Sequence, residues 1–311
     1  MFILLSRHGR KPEMKNKKHE KRQNRAVPYL FIAPHLILFC VFFLIPLFYG
    51  MYASFTNWNL FSAPKWIGLE NYRTILFDTS STFFRQFWNG LRNTVLFVVL
   101  CVPVQIILPL IISLLLYTRP RGADFFRSIF YMPTLLSITS VTLTWLFIFN
   151  RSLGLLNHLF NIDTNWYGAQ PYAWITILVT TWWWCMGTNM VIYVAALGGI
   201  DKSVIDASRI DGASGWYQMW YILLPSIRFS LTYTIVVTVI SQFNIYGQPL
   251  MLTGGGPKES TAVLLMYIRN IAFGTGRPIA GIASAMAVIL GLIIGIVSLA
   301  QLKLMSGRED A

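Results

Sequence analysis

Charged side chains are scarce in this chain: they make up 12% of its 311 residues, about half the share usual in a soluble globular domain. With 55% of the residues hydrophobic and 15% aromatic, that shortage argues against an ordinary soluble enzyme. Cysteine is nearly absent. Cys40, Cys101 and Cys185 each sit inside a strongly apolar run, as small buried hydrophobes do, and so offer neither a disulfide framework nor a metal site. No Gly-x-x-x-x-Gly-Lys-Ser/Thr run is present to cradle nucleotide phosphates, and there is no His-Glu-x-x-His or Cys-x-x-Cys pair. His8, His19, His35 and His158 are scattered. Enzymatic activity is therefore not expected of this chain. No internal repeat is evident, so a solenoid is not indicated.

Long apolar runs are what the chain has in place of charge. A membrane-crossing helix needs about 20 mostly apolar residues, and six runs qualify, at residues 28–55, 93–117, 128–149, 172–197, 229–250 and 279–302. The first is too long for the apolar region of a cleaved signal peptide and reads as a retained span. The expected fold is all-α, a polytopic membrane protein with six transmembrane helices. Its organisation would be a basic tail over 1–27, a membrane domain over 28–303 and a short tail over 304–311.

Acidic residues are few, 12 against 25 Lys and Arg, giving a net charge of +13. In a soluble protein this would suggest nucleic acid. Here much of the excess lies in the tail before the first run, between Arg7 and Arg25, where it fits topology and attraction to anionic lipid; no nucleic-acid partner is expected. Met14 opens a second basic leader that would serve as a start by itself. Basic residues stay preferentially in the cytoplasm, which places both termini there. Arg119, Arg121 and Arg127 and the segment between Lys202 and Arg228 fall on the same side.

Residues 198–225, which overlap that last segment, are too polar to cross a bilayer and too patterned for a slack loop. Ser203 to Asp211 reads as a short helix ended by Gly212, which can take the left-handed conformation. Ser214 can cap a second helix whose Trp216, Met219, Trp220 and Leu223 recur at helical spacing, and Pro225 marks entry to the fifth run. The alternative is an interfacial helix anchoring Trp216 and Trp220 among headgroups.

These residues resemble a signature of the permease subunits of bacterial binding-protein-dependent ABC importers: Glu-Ala-Ala, three residues, Gly, nine residues, Ile, any residue, Leu-Pro. Here it stands as Asp206-Ala207-Ser208, Gly212, Ile222, Leu224-Pro225, with every spacing kept. Asp206 replaces Glu and Ser208 replaces the second Ala. The resemblance implies a type I importer permease in the bacterial cytoplasmic membrane, with a coupling helix seated in a cleft of an ATP-binding subunit. Ala207, Ser208 and Gly212 would permit close approach, and Asp206 would pair with a basic group or backbone donors. Two ATP-binding subunits would hold ATP and magnesium, with no cofactor on this chain. A second permease, an extracytoplasmic solute-binding protein and the bilayer complete the implied partners.

Two further stretches resemble the carbohydrate-type branch of maltose-type permeases. They are FFRSIFYMPTLLS before the third run and Leu252-Thr253-Gly254-Gly255-Gly256-Pro257 with Ser260-Thr261 after the fifth; the second also reads as a flexible turn. A carbohydrate suits the polar residues inside the runs, because amides bond hydroxyls and aromatic rings stack on sugar C–H faces. Gln105, Thr188, Asn189, Gln242, Asn244 and Gln248 are candidates, with Trp145, Trp184, Tyr193 and Tyr246 nearby. The same amides can instead bond across helices. If Gln242 and Tyr246 are four apart on one helix they share a face, with Asn244 directed elsewhere. Rival readings are a permease of the same architecture for a glycerol phosphate or a polyamine, and a non-transporting membrane scaffold.

Overall fold

The computed structural model describes residues 26–274 and 279–306. The basic tail as far as residue 25, the alternative start at Met14 and residues 307–311 of the terminal tail lie outside the described residues. Contacts divide the chain into two units, one ending at Tyr49 and one beginning at Gly50.

The first unit is helical. Helix α1 (Ala26–Phe39) runs through a wide turn at Cys40–Leu44 into α2 (Ile45–Ser54), and Phe39 stacks on Phe43 at 5.0 Å. The helical run Tyr29–Ser54, whose last five residues belong to the second unit, is apolar over 26 residues, roughly 39 Å of helix, enough to cross hydrocarbon.

The second unit opens with a small antiparallel pair, β1 (Thr56–Asn57) and β2 (Lys65–Trp66), with Thr56 opposite Trp66. Short α3 (Glu70–Leu76) follows, then α4 (Thr82–Tyr117) of 36 residues. Ser81 caps α4 by accepting from the Phe83 N–H at 3.1 Å. This helix starts well before the expected residue 93, because Arg85, Asn89 and Arg92 lower the hydropathy of its first three turns. After α4 come α5 (Ala123–Tyr131), a 3-10 turn at Met132–Leu135, α6 (Ile138–Ile148), α7 (Leu155–Phe160) and α8 (Tyr172–Gly198). The segment after α8 contains α9 (Lys202–Ile210), α10 (Gly215–Gln218), a wide turn at Met219–Leu223 and α11 (Leu224–Ser226). Helices α12 (Arg228–Phe243), α13 (Gly247–Thr253), α14 (Leu264–Phe273) and α15 (Ala280–Ser306) complete the unit.

Among the described residues four helices are long and apolar enough to span a membrane: Tyr29–Ser54, Thr82–Tyr117, Tyr172–Gly198 and Ala280–Met305. The expected third and fifth spans are not straight rods. The third bends by 102° between Ala123–Leu135 and Ile138–Ile148, while a 66° bend between Gly215–Ser226 and Arg228–Phe243 lies at the entry to the fifth, which is itself interrupted where α12 ends at Phe243 and α13 begins at Gly247. Pro133 lacks a backbone donor, and Ser137 restarts the third span as an N-cap, accepting from the Ser140 N–H at 3.2 Å. Six spans are reached when each bent pair counts as one.

Three apolar clusters hold the second unit together. Phe87, Val98, Val102 and Ile106 of α4 meet Val239 and Phe243 of α12, Leu264 of α14, and Ala285, Met286 and Leu290 of α15. Gly90 lets α4 and α14 touch: a Cβ there would stand 2.8 Å from Leu264 Cα. A second cluster joins Phe97 and Cys101 to Trp174 and Ile177 of α8, with Leu252 and Met266. The third, Leu197, Ile205, Leu223 and Ile227, ties the segment between α8 and α12 to the bundle.

Candidate functional site

Helix α9 is defined at both ends by local chemistry. Asp201 accepts from the Ser203 N–H at 2.9 Å, and that backbone bond holds its carboxyl below the usual carboxylate range. At the other end Gly212 takes φ +80°, and the Ala213 N–H returns to Ser208 O at 2.9 Å. This is the glycine stop expected from the spacing. Ile205 and Ser208 face inward, and Ser208 Oγ donates to Ile205 O at 2.7 Å. Asp206, Ala207, Arg209 and Ile210 face outward, Ile210 being 87% exposed.

Ser208 is buried on the bundle side, while Ala207 and Gly212 remain on the open face. Asp206 meets Arg209 on its own helix at 3.3 Å, with both side chains two-thirds exposed, so the pair contributes little by itself and leaves Asp206 open to a stronger partner.

Beyond Gly212, Ser214 accepts from the Tyr217 N–H at 3.3 Å and starts α10 as expected. The apolar face does not form. A wide turn at Met219–Leu223 inserts extra residues per turn and breaks the 3.6-residue register. Only Leu223 of the four residues is buried; Trp216 and Trp220 are exposed and pack edge to face at 5.8 Å. Ile222 and Leu224 are half-buried at the bundle, and Pro225 is exposed at the first turn of α11.

Inside the bundle the polar candidates separate into two groups. Gln242 Nε2 donates to Gln105 Oε1 at 2.8 Å, and Asn189 Nδ2 donates to Gln105 O at 2.9 Å and Thr238 Oγ1 at 3.1 Å. The Tyr193 and Thr234 hydroxyls share a bond of 2.6 Å. Gln242, Asn189 and Tyr193 are thus buried ties between α4, α8 and α12, the interhelical alternative to a substrate lining. Gln242 and Tyr246 share no helix face, because α12 ends at Phe243.

Asn244, Tyr246 and Trp145 form the accessible group. Asn244 is exposed at the end of α12 and donates from Nδ2 to Ile240 O at 2.8 Å, closing the helix. Tyr246, half-buried, lies in the gap before α13, with the Arg269 guanidinium 5.8 Å from its ring centre. Trp145 is half-buried on α6, stacked on Phe149 at 5.2 Å and edge-on to Trp183 at 5.8 Å.

Two helix breaks meet beside this group. Gly247, opening α13, lies directly against Ile138, opening α6, and Thr142 Oγ1 reaches Met251 Sδ at 3.3 Å. The α6 break is fixed from α8, where Trp184 Nε1 donates to Leu136 O at 3.1 Å. Ser137 and Ser140 share a hydroxyl bond of 2.9 Å on an exposed edge. Helix breaks flanked by exposed Ser and Asn and by aromatic side chains can bind a hydroxylated solute and fix its orientation. Ser137 and Ser140 were missed in the sequence; their signal is a cap residue four positions after Pro133.

The glycine-rich stretch after α13 is an ordered turn. Gly254 and Gly255 take φ +60° and +85°, and Thr261 Oγ1 bonds Gly256 O and Thr253 Oγ1, both at 2.7 Å. Asn93 Nδ2 clamps the turn by donating to Glu259 O and Ala262 O at 3.0 and 2.9 Å.

Residues 79–308 match the family described as binding-protein-dependent transport system inner membrane component. The probable starch degradation products transport system permease protein AmyD of Thermoanaerobacterium thermosulfurigenes is 32% identical, over 90% of this chain and 94% of its own length. The multiple sugar-binding transport system permease protein MsmF of Streptococcus mutans is 30% identical, over 90% and 96%. Among solved structures, a chain of a bacterial ABC transporter involved in import of the acidic polysaccharide alginate superposes with a TM-score of 0.80 at 19% identity, over 91% of this chain and 96% of that one. That likeness concerns the fold.

Proposed function

Because this chain belongs to the family of binding-protein-dependent transport system inner membrane components, and is accordingly a multi-pass membrane protein, we propose that it moves a carbohydrate across the cytoplasmic membrane as one permease of an ATP-driven importer. The sugar class rests on the relatives that transport starch degradation products and multiple sugars. A second permease, two ATP-binding subunits carrying ATP and magnesium, and an extracytoplasmic solute-binding protein complete the assembly in this reading. Both termini lie in the cytoplasm, following the basic residues.

The observation that carries the mechanism is α9: a capped helix pinned to the bundle through Ile205, with Asp206, Ala207, Arg209 and Ile210 open to a partner. Closure of the ATP-binding subunits pushes on this face, and the ties of α4, α8 and α12 carry the displacement to the adjoining breaks. There Asn244, Tyr246, Ser137 and Ser140 hold the sugar, and Trp145 offers a flat apolar wall.

Purification of the tagged chain in mild detergent tests the reading. An ATP-binding subunit co-purifies with the wild type and is lost from Gly212→Trp, which places an indole at the open turn. If no such subunit accompanies the wild type under gentle extraction, the importer reading fails. One observation favours an anionic solute instead: the exposed Arg269 beside Tyr246. Uptake of labelled maltose competed by glycerol phosphate but not by unlabelled maltodextrins would favour that second reading.

A further inference from the structure

Helix α7 turns its apolar side chains away from the protein. Leu155, Leu159 and Phe160 are each more than half exposed, exposed Leu153 and Ile162 flank the helix, and only Asn157 of α7 is buried. Apolar side chains grouped in this way mark a contact surface. The face is held in place. Asn157 Nδ2 donates to Arg151 O at 3.0 Å and to Thr164 O at 2.9 Å, and its Oδ1 accepts from Trp166 Nε1 at 2.7 Å. The Arg151 guanidinium grips both oxygens of the Asp163 carboxylate, at 2.7 and 2.6 Å. Those two are the only Asp, Glu, Lys or Arg side chains between Phe149 and Pro171, so the segment has no unpaired charge to steer a charged partner.

The height of α7 follows from α8. Thr176 Oγ1 donates to Trp166 O at 3.2 Å, and from Thr176 to the end of α8 at Gly198 is roughly 33 Å of helix, against about 30 Å of hydrocarbon. Trp166 therefore stands where acyl chains give way to headgroups, the level at which Trp and Tyr collect. It packs there on Tyr172 at 5.5 Å and on Phe149 at 5.1 Å. Asn157 hangs α7 on that indole, and exposed Leu143 and Phe147 continue the apolar surface along α6.

We propose that α7 is an interfacial anchor whose occupant is phospholipid: Leu155, Leu159 and Phe160 sink into the leaflet opposite α9, among the first carbons of the acyl chains. A helix at that depth gains from the apolar area it buries while its polar clamp stays among headgroups. Trp166 and Phe149 connect the anchor to Trp145, which stacks on Phe149 at 5.2 Å, so the membrane surface props the aromatic wall beside the helix breaks. The inference rests on the multi-pass placement and not on which solute is carried.

Photo-cross-linking of the full chain tests it. p-Benzoyl-phenylalanine takes the place of Leu159, of Phe160 or, for contrast, of Ile210 on the exposed face of α9. Each chain is irradiated in the membranes of the expressing cell and in vesicles of phosphatidylethanolamine and phosphatidylglycerol. Mass spectrometry of the vesicle samples should find one phospholipid added at Leu159 and at Phe160 several-fold more often than at Ile210, bonded near the glycerol end of an acyl chain. Asn157→Asp, which keeps an oxygen for Trp166 and loses both donated bonds, should lower that yield several-fold, and Trp166→Phe, which loses the indole N–H, should lower it as well. Indifference of the yield to both variants overturns the proposal. So does attachment at the terminal methyl end, which would place α7 deep in the hydrocarbon, or the lack of any lipid adduct. In the cell membrane, a protein cross-linked at Leu159 and Phe160 in place of lipid, whether a second permease or a solute-binding protein, overturns it too.

Discussion

An amide inside hydrocarbon has to find partners, and Asn189 finds two within the bundle, Gln105 O and Thr238 Oγ1. Asn244 spends one N–H on Ile240 O and keeps the rest of its amide exposed at a helix break. Their substitutions should therefore separate. Asn189→Leu should cost about 1 kcal/mol, the scale of an interhelical polar contact in a membrane, and lower the melting temperature of the purified chain. Asn244→Ala should leave that temperature unchanged while reducing sugar uptake or altering its substrate preference. Fluorescence-detected melting beside an uptake assay checks both, and a stability loss from Asn244→Ala without a transport change would place Asn244 among the structural ties.

At the scale of one element, the turn after α9 is set by backbone conformation. Nothing lies within 4 Å of a Cβ added at Gly212, whose φ is +80°, so Gly212→Ala meets no clash and loses only the left-handed preference, about 1–2 kcal/mol. Asn tolerates that region better than Ala, so Gly212→Asn should keep more of the bound ATP-binding subunit than Gly212→Ala; equal retention by both would remove the turn from the docking geometry. The other end of α9 is sensitive to pH. The Ser203 N–H lowers the carboxyl pKa of Asp201 in the folded state, so its stabilisation is fully present above the ordinary carboxylate range and fades as pH falls through the lowered folded value. Hydrogen exchange of the α9 amides should rise across that acid window in the wild type and stay flat in Asp201→Asn, which retains a capping oxygen without a charge.

Gly212 and Ser214 were legible in the sequence because their signals are local: a left-handed φ and a side-chain cap. The wide turn at Met219–Leu223 was not, since the Trp and Tyr residues around it fit a regular helix equally well. The breaks in the third and fifth spans escaped for a related reason: a bent apolar run has the same hydropathy as a straight one, and Pro133 and Asn244 were its faint marks. The division of the amides was also hidden. Gln242 and Asn244 are two residues apart, and only the helix end at Phe243 and the reach of Gln105 decide which is buried.

At the scale of the whole second unit, the ties recur at several heights along the same three helices. Ser113 Oγ reaches Met190 O at 3.1 Å, Tyr193 meets Thr234, Asn189 joins Gln105 to Thr238, Gln242 meets Gln105, and Trp182 Nε1 donates to Cys101 O at 3.2 Å. With α9 fixed by Ile205, Leu197, Leu223 and Ile227, these bonds make α4, α8, α12 and α9 one mechanical piece. Compliance is left to the segments without continuous helical bonding, at 136–138 and 244–246. Native-state hydrogen exchange in micelles should then show one slow cooperative class across α4, α8 and α12, with distinctly faster amides at the two breaks. Binding of the ATP-binding subunit should alter exchange most at those breaks and on the exposed face of α9. If α8 opens independently of α4, or the breaks exchange as slowly as the helices around them, motion must enter through another part of the bundle, because a tied piece cannot pass on a push that it absorbs within itself.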